Sequence, residues 1–306
     1  MNIAITGGSG FIGTALTRKL LDAGHQVTIY DRVAPRFSHE HLQFISANLV
    51  TDPALLSIAH HDAIVHLAGV SIYERWTNAY KQQIMDSRTK STASIIDACR
   101  TSLQESGTKP TVFVCASAVG YYGDQGDRVL NESASSPITG TDFLSDVCVA
   151  WESTAQKIEE LGIRRVSVRT AIVLGPNGGM MSKLLPIFTW GLGGRLGTGN
   201  QWFSWIHIDD LVEIYYTAIT NAQLSGSVNA TAPEPVTNRV FTKSLGQALH
   251  RPTFWIIPAF VLRIILGEFA KAVLASTRAV PTKLQAIGFT FKYKTIDEAV
   301  RTFLGK

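Results

Sequence analysis

The sequence predicts an α/β protein in which a doubly wound parallel sheet is followed by a smaller C-terminal α+β lobe. Apolar runs of strand length alternate with helix-like stretches as far as Val168. This alternation is typical of a parallel sheet with helices on both faces. From Gly175 onward the alternation gives way to glycine-rich and aromatic segments, which indicates a separate lobe that covers the sheet.

The first strand, helix and second strand form a unit with a glycine-rich turn. A strand over 2–6 precedes the turn, and a second strand over 26–30 ends at Asp31 and Arg32. The glycines fit two forms of the dinucleotide fingerprint, Gly8-x-Gly10-x-x-Gly13 and Gly7-x-x-Gly10-x-x-Gly13. Such glycines let backbone approach a pyrophosphate, and the helix N-terminus binds the phosphates through free N–H groups. The unit therefore predicts a Rossmann-like, dinucleotide-binding sheet, with an ordinary glycine-rich turn as the alternative.

Later elements follow in the same order and place further residues at one edge of the sheet. We predict strands over 42–45, 63–67, 111–115 and 165–168, joined by helices over 53–59, 76–103 and 142–161. Ligands of parallel sheets bind beyond the carboxyl ends of the strands. That edge would carry Arg32, Gly69, Ser117 and Arg169.

The second half of the chain predicts a less regular lobe. A short strand over 206–208 precedes a helix capped by Asp209 or Asp210, and 228–230 is a candidate strand. We divide the chain into a nucleotide-binding domain over 1–240, whose sheet core is roughly 1–175, and a mostly helical domain over 252–303. The boundary between the two is not sharp.

Composition and charge narrow the class of partner. The 306 residues are 45% hydrophobic and 17% charged, with a net charge of +4 from scattered basic residues. We therefore expect a small-molecule substrate and neither a nucleic-acid nor a membrane partner; the oligomeric state is not indicated. Cys99, Cys115 and Cys148 lack metal-ligand spacing, and no signal peptide precedes the first strand. A cytoplasmic protein with reduced thiols and no metal site is expected.

Several motifs carry a resemblance to a known superfamily. They are Thr6 to Gly13, His66-Leu67-Ala68-Gly69, Ser117 with Tyr122-Gly123, Val168-Arg169, Leu174-Gly175-Pro176 and Trp205 to Asp210. Together they resemble the extended short-chain dehydrogenase/reductase superfamily. A second set is similar to its YfcH-like epimerase-family proteins, the NAD-dependent epimerase/dehydratase family with a C-terminal domain of unknown function. That set is Arg75-Trp76-Thr77, Lys81, Ser87-Arg88, Gly120 to Gly123, Trp151-Glu152, 191–205 and 252–303.

The cofactor choice depends on the end of the second strand. Asp31 would favour NAD by binding ribose hydroxyls. Arg32 follows it at once, and Arg36 lies in the loop, where an Arg can bind a 2′-phosphate bidentately. The family resemblance also implies NADP. We therefore predict NADP(H), with NAD as the alternative.

Strand-end positions and the resemblance together predict the cofactor contacts. The pyrophosphate would be lined by Gly7, Gly10, Phe11, Ile12 and Gly13. The adenosine side would be bordered by Leu67, Ala68 and Gly69. Arg88 would reach the cofactor or a substrate carboxylate, and Val173 would lie near the nicotinamide. The alternative for Arg88, as for Lys81, is a solvated charge on a helix face.

One departure from the superfamily concerns its usual chemistry. There a Tyr-x-x-x-Lys pair on one helix transfers the proton and holds the ribose, while hydride moves to or from nicotinamide. The helix over 143–152 contains neither Tyr nor Lys. If Glu152 matches the Glu that often follows, then Leu144 replaces the Tyr and Cys148 the Lys. In a register one turn later, Cys148 and Glu152 replace them. The first register leaves the more usual gap after Ser117, so we prefer it.

The remaining candidates for chemistry lie after the fifth strand. We predict Tyr121 as the acid/base and Ser117 as the group that orients the same oxygen. The alternatives are a packed tyrosine with a satisfied hydroxyl for Tyr121 and a capped strand end for Ser117. Cys148 is expected to be a core thiol, and His66 and His207 to be structural. The sequence thus predicts an NADP(H)-dependent oxidoreductase or epimerase acting on a small hydroxyl or carbonyl compound. Because the Tyr/Lys pair is missing, a cofactor-binding sensor without turnover is the alternative.

Overall fold

A computed structural model describes residues 1–176 and 178–303 of the chain, apart from the side chains at positions 53, 54 and 56. The strands are β1 (Asn2–Thr6), β2 (Gln26–Asp31), β3 (Leu42–Ser46), β4 (Ala63–His66), β5 (Val112–Ala118), β6 (Val129–Leu130), β7 (Arg164–Thr170), β8 (Ile172–Leu174), β9 (Gly194–Leu196), β10 (Trp202–Phe203), β11 (Trp205–His207), β12 (Gly226–Ala230), β13 (Val236–Thr237), β14 (Trp255–Ile257) and β15 (Arg278–Ala279). The α-helices are α1 (Phe11–Asp22), α2 (Asn78–Ser106), α3 (Phe143–Gln156), α4 (Met181–Thr189), α5 (Ile208–Thr220), α6 (Asn238–Ala248), α7 (Ala259–Leu266), α8 (Phe269–Leu274), α9 (Thr282–Ala286) and α10 (Ile296–Arg301). Short 3₁₀ segments cover Pro53–His60, Val119–Tyr122 and Lys157–Leu161.

A seven-stranded sheet in the order β12-β7-β5-β4-β1-β2-β3 forms the centre of the fold. All of its pairings are parallel, so the predicted parallel sheet is confirmed. Its strand order reverses at β1, with β4 and β2 on either side, which is the place where such sheets bind nucleotides. The seventh strand, β12, comes from residues after 175, so the sheet extends past the core boundary drawn from the sequence.

Alternate residues of each central strand enter two different cores. Ile3 and Ile5 pack with α1 and α5 on one face, whereas Ala4 and Phe113 pack with α2 and α3 on the other. Because side chains of a strand alternate between faces, apolar residues at every position need helices on both sides. The double winding predicted from the sequence follows from this pattern.

Several element ends differ from the sequence predictions. The stretch over 53–59 is a 3₁₀ helix rather than an α-helix. The helix over 142–161 is α only to Gln156, then 3₁₀, and Gly162 ends it in the left-handed conformation, φ 65°. The predicted caps Asp209 and Asp210 are wrong, because His207 caps α5 by accepting from the Asp209 N–H.

The C-terminal lobe has its own apolar core. Trp205, Phe188 and Phe241 form its centre with α10 packed against them. The lobe mixes helices with short strand pairs, β14 with β9 and β15 with β6, so it is α+β as predicted. Among the described residues, no helix is both long and apolar enough to cross a membrane.

Candidate active site

The glycine turn after β1 forms a cradle without room for side chains. Gly7 has a φ of 73°, and a Cβ there would lie 2.8 Å from the Ala68 nitrogen. A Cβ on Gly13 would overlap the Gly7 carbonyl oxygen. Gly10, at the N-cap of α1, gives that helix no side-chain cap, so backbone N–H groups alone form its N-terminus. These features fit a pyrophosphate, which needs close backbone approach and free N–H groups.

Several residues predicted to contact the cofactor near this cradle have side chains that pack against the protein instead. Phe11 lies against Gly175, Gly178 and Gly179, and a Cβ on Gly175 would come within 2.7 Å of its ring. Ile12, Leu67 and Val173 are half-buried against the first core. Phe11 and Ile12 can therefore meet a cofactor chiefly through their backbone, at the start of α1.

Asp31 is turned towards the glycine turn. Its two carboxylate oxygens accept the backbone N–H groups of Ser9, at 3.3 Å, and Arg32, at 2.7 Å. The side chains of Arg32 and Arg36 are exposed beside it, and in the described part of the chain neither forms an ion pair. The end of β2 thus offers free guanidinium groups next to an occupied carboxylate.

Arg88 of α2 lies against the end of β4. Its guanidinium donates to the carbonyls of Ile84, at 3.1 Å, and Val70, at 3.2 Å. Its Cζ is 3.2 Å from where a Cβ on Gly69 would lie and 5.1 Å from the centre of the Trp151 ring. Burial lowers the pKa of Arg88. The alternative of a solvated surface charge is therefore wrong for this residue.

Ser117, at the end of β5, belongs to a buried charged network. Its hydroxyl donates to Glu152 Oε1 at 2.7 Å. Arg169 donates to both oxygens of Glu152, from Nε at 2.8 Å and from Nη2 at 2.9 Å. The Ser227 hydroxyl also donates to Glu152 Oε2. Burial disfavours the charged form of Arg169, but the bonds to Glu152 outweigh it and raise the pKa of Arg169 above its ordinary value. While the Ser117 hydroxyl donates its hydrogen to Glu152, its oxygen can still accept a hydrogen bond from another group.

Tyr121 and Tyr122 have different surroundings. Tyr122 is fully buried; its hydroxyl donates to Asn229 Oδ1 at 2.7 Å and accepts from Arg169 Nη1 at 2.9 Å. Tyr121 is half-buried, with its ring centre 3.5 Å from Arg169 Cζ. Its carbonyl accepts from the Ser145 hydroxyl, and its own hydroxyl makes no hydrogen bond within the described residues. Of the two, Tyr121 has the hydroxyl available for a substrate.

In the preferred register, the two residues of α3 that replace the Tyr/Lys pair, Leu144 and Cys148, face the loop after β5. A Cβ on Gly120 would lie 3.6 Å from Leu144 Cβ and 3.8 Å from Cys148 Sγ. Burial raises the pKa of the Cys148 thiol to about 12, with Glu152 adding to the shift and Arg88 opposing it. Cys148 is therefore an un-ionised core thiol, as expected from the sequence.

An aromatic cluster and one ion pair hold the C-terminal lobe over the segment that follows β4. Lys81 Nζ lies 2.9 and 2.8 Å from the two oxygens of Glu268, and 5.0 Å from the Phe143 ring centre. Trp76 contacts both Phe143 and Phe269, with ring centres 5.0 and 5.4 Å apart. Lys81 is thus paired across the two lobes rather than solvated.

Sequence reasoning missed the network beneath Ser117. Arg169 and Glu152 were each noticed, one as a strand end and the other as an alignment point, but not as partners. A signal was present, since a cation in an otherwise buried strand requires a buried acid. The identity of that acid depends on the packing of α3 on β7, which a single sequence does not reveal.

Together, the parallel sheet, the glycine cradle and the residues at its carboxyl edge define a Rossmann-type dinucleotide-binding protein. Residues 3–230 match the NAD dependent epimerase/dehydratase family, and residues 257–303 match a domain of unknown function, DUF1731. The chain belongs to the NAD dependent epimerase/dehydratase family, as the sequence resemblance indicated.

Relatives and solved structures span the whole chain. An epimerase family protein of Mycobacterium bovis, Mb2239, is 42% identical over 300 residues, covering 97% of this chain and 96% of its own. The human epimerase family protein SDR39U1 (isoform 2), solved with NADPH, has a TM-score of 0.86 at 29% identity and 99% coverage of both chains. A nucleoside-diphosphate sugar epimerase from Corynebacterium glutamicum has a TM-score of 0.78 at 34% identity, covering 100% of this chain and 58% of its own.

Proposed function

We propose that this protein is an NADP(H)-dependent oxidoreductase or epimerase acting on a hydroxyl or carbonyl compound, with nucleotide-linked compounds as first candidates. The observation that carries the proposal is the Tyr121 hydroxyl, which makes no hydrogen bond within the described residues and follows the carboxyl end of β5, in the sheet that bears the glycine cradle. The bound cofactor would supply hydride transfer at its nicotinamide. The similarity to a nucleoside-diphosphate sugar epimerase supports the substrate class.

The end of β2 supports NADP(H) over NAD(H). Asp31 accepts one backbone N–H group on each carboxylate oxygen, so fewer of its acceptor sites are left for ribose hydroxyls. Arg32 and Arg36 are exposed beside it, and guanidinium groups suit a 2′-phosphate. The human SDR39U1 structure holds NADPH, which is further support.

Within this proposal, three residues of the chain have different roles. Tyr121 would give or take the proton at the reacting oxygen. Ser117 would orient that oxygen by turning its hydroxyl hydrogen from Glu152 towards it, since a carbonyl oxygen can only accept a hydrogen bond. Arg169 fixes Glu152 and packs against the Tyr121 ring, so it positions both groups.

Two measurements test the proposal. In equilibrium titrations, NADPH should bind more tightly than NADH, and Arg32→Ala should weaken NADPH binding while sparing NADH. Tighter binding of NADH would contradict the cofactor choice. A reductase screen with NADPH, run on small carbonyl compounds and nucleotide-linked sugars, should then give a hit.

The second candidate function is a cofactor-dependent sensor without turnover. The helix over 143–152 has neither the Tyr nor the Lys of the superfamily's pair, and this observation favours the sensor. Such a protein would bind NADPH and show no oxidation of it with any compound of the panel. Binding by a second molecule that depends on NADPH would strengthen this candidate over the enzyme.

We also propose a cytoplasmic location. Cys99, Cys115 and Cys148 are buried free thiols, and free thiols persist in reducing compartments. Cell fractionation with a tagged protein would test this.

A further inference from the structure

Helix α3 has lost the cation that its superfamily relatives carry there. Its residues, Phe143–Gln156, include no Lys or Arg, and in the preferred register Cys148 takes the expected Lys position. Two cations act on the Cys148 thiol: Arg169, which is paired with Glu152, and Arg88, on the neighbouring helix α2. Arg88 reaches this place between Gly69, at the end of β4, and the face of Trp151.

The Arg88 guanidinium is only partly satisfied by the protein. Its acceptors are neutral, the carbonyls of Ile84 and Val70 and, at 3.5 Å, the Ser87 hydroxyl. Within the described residues it makes no ion pair, although a guanidinium has five N–H donors. A half-buried cation without an acid is costly, and the Trp151 ring offsets only part of that cost. Arg88 is therefore poised to donate to oxygen atoms of a ligand.

The position of Arg88 decides which part of the ligand it would meet. The glycine turn and the start of α1 already suit the pyrophosphate, and Arg32 and Arg36 suit the adenosine end. Arg88 lies against Gly69 and over the ring of Trp151, a residue of the helix that also carries Cys148, whose sulfur borders the Gly120 loop with Tyr121. This is the side on which the chemistry is proposed.

We propose that Arg88 supplies from α2 the cation that a Lys supplies from the following helix in the superfamily, and that it binds the hydroxyls of the nicotinamide ribose. The inference rests on the proposed function, because it requires NADP(H) in the cleft. It explains how the chain dispenses with Lys at position 148: the cation comes from the neighbouring helix and reaches the same place.

Two ligands separate this role from a general effect on binding. NADPH contains the nicotinamide ribose, whereas adenosine 2′,5′-bisphosphate contains only the adenosine end. Arg88→Ala should weaken NADPH binding by about tenfold to a hundredfold, the range for losing hydrogen bonds to a charged group. Its affinity for adenosine 2′,5′-bisphosphate should not change. Arg100→Ala, on the same helix but about 18 Å further along, is the matched control and should change neither.

The outcomes are distinct. Equal loss for both ligands would place Arg88 at the adenosine end, and unchanged NADPH binding would remove it from the site; either result overturns the inference. If wild-type protein binds neither ligand, the proposed function itself fails. Should Arg88→Ala unfold, Arg88→Gln and Arg88→Lys provide the same comparison, with only Gln expected to lose NADPH affinity.

The inference is tested most directly by a double variant that removes the cation at position 88 and places one at position 148. In Arg88→Ala/Cys148→Lys, a Lys at position 148 should recover most of the NADPH affinity, while Cys148→Lys alone should not improve on wild type. Thermal unfolding shows whether the double variant is folded. A folded double variant that binds NADPH as weakly as Arg88→Ala would overturn the claim that the two side chains serve one position.

Discussion

Tyr121 and Tyr122 are adjacent in the chain, yet within the described residues the Tyr122 hydroxyl is hydrogen-bonded and the Tyr121 hydroxyl is not. If Tyr121 is the acid/base, Tyr121→Phe should lower turnover by about a hundredfold to ten-thousandfold, the usual contribution of such a group. NADPH affinity should stay the same, because the ring and its contact with Arg169 are kept. Steady-state kinetics on any substrate from the screen, with parallel NADPH titration, measures both.

Two variants control for this result. Cys148→Ser should have far less effect on turnover, because the thiol is buried and un-ionised. Tyr122→Phe should act on stability instead, by about 1–3 kcal/mol, since it leaves the buried Asn229 Oδ1 without its donor and removes one acceptor of Arg169 Nη1. Full activity in Tyr121→Phe would discard the assignment.

His66 is a buried residue that gives stability a pH dependence. Its Nδ1 lies 2.6 Å from the Thr6 hydroxyl and its Nε2 3.0 Å from the Ser91 hydroxyl. Because Ser91 donates its hydrogen to helix carbonyls, it accepts from Nε2–H, and Nδ1 accepts from Thr6. Burial lowers the pKa of His66 to about 3, so the folded protein holds it neutral.

The free energy of unfolding should therefore decrease as the pH is lowered. Below pH about 6.5 the unfolded chain protonates His66 while the folded chain does not, down to pH about 3. The loss is about 1.4 kcal/mol per pH unit for each such histidine, and His207, whose pKa burial lowers to about 4, adds to it. Denaturant unfolding between pH 7.5 and pH 4.5 should show a flatter slope for His66→Asn than for wild type. Exposed His39→Asn should leave the slope unchanged.

At the scale of elements, the Glu152–Arg169 pair joins α3 to β7 and, through Ser117 and Ser227, to β5 and β12. Removing one partner leaves a buried charge, which costs about 3–5 kcal/mol. Glu152→Gln or Arg169→Met should each lower the free energy of unfolding by that amount. The double variant should lose clearly less than the sum of the two, as a urea double-mutant cycle will show. Additive losses would mean that the pair is not coupled.

The elements also show what a single sequence can predict. The first strand–helix–strand unit was predicted correctly because its signals, apolar runs and glycines, lie within one short stretch of chain. For the site, the sequence predicted which residues lie at the carboxyl edge of the sheet, but not which of them contact one another. Ser117 and Glu152 are 35 positions apart, and Tyr122 and Asn229 are 107 apart, so their pairing depends on how the helices pack on the sheet. The cap of α5 was mispredicted because His207 accepts the hydrogen bond that an Asp usually would.

On the scale of the whole molecule, an ion pair and an aromatic cluster hold the C-terminal lobe over the site. The two should contribute different amounts of stabilisation. Lys81 and Glu268 are both partly exposed, so their bond should contribute about 0–1 kcal/mol and weaken with salt. The contacts of Phe269 with Tyr73 and Trp76 bury apolar area, which salt does not screen. The aromatic cluster should therefore dominate.

Hydrogen exchange of α7 and α8 distinguishes the two contributions. Lys81→Ala should raise the opening of these helices by about fivefold at most, and less at high salt. Phe269→Ala should raise it by about tenfold or more at any salt concentration, because the lost contacts are apolar. Exchange in the central strands β1 and β4 should not change in either variant, since the lobe has a separate core. If Lys81→Ala opened the lobe more than Phe269→Ala, the ion pair rather than the aromatic cluster would hold it in place.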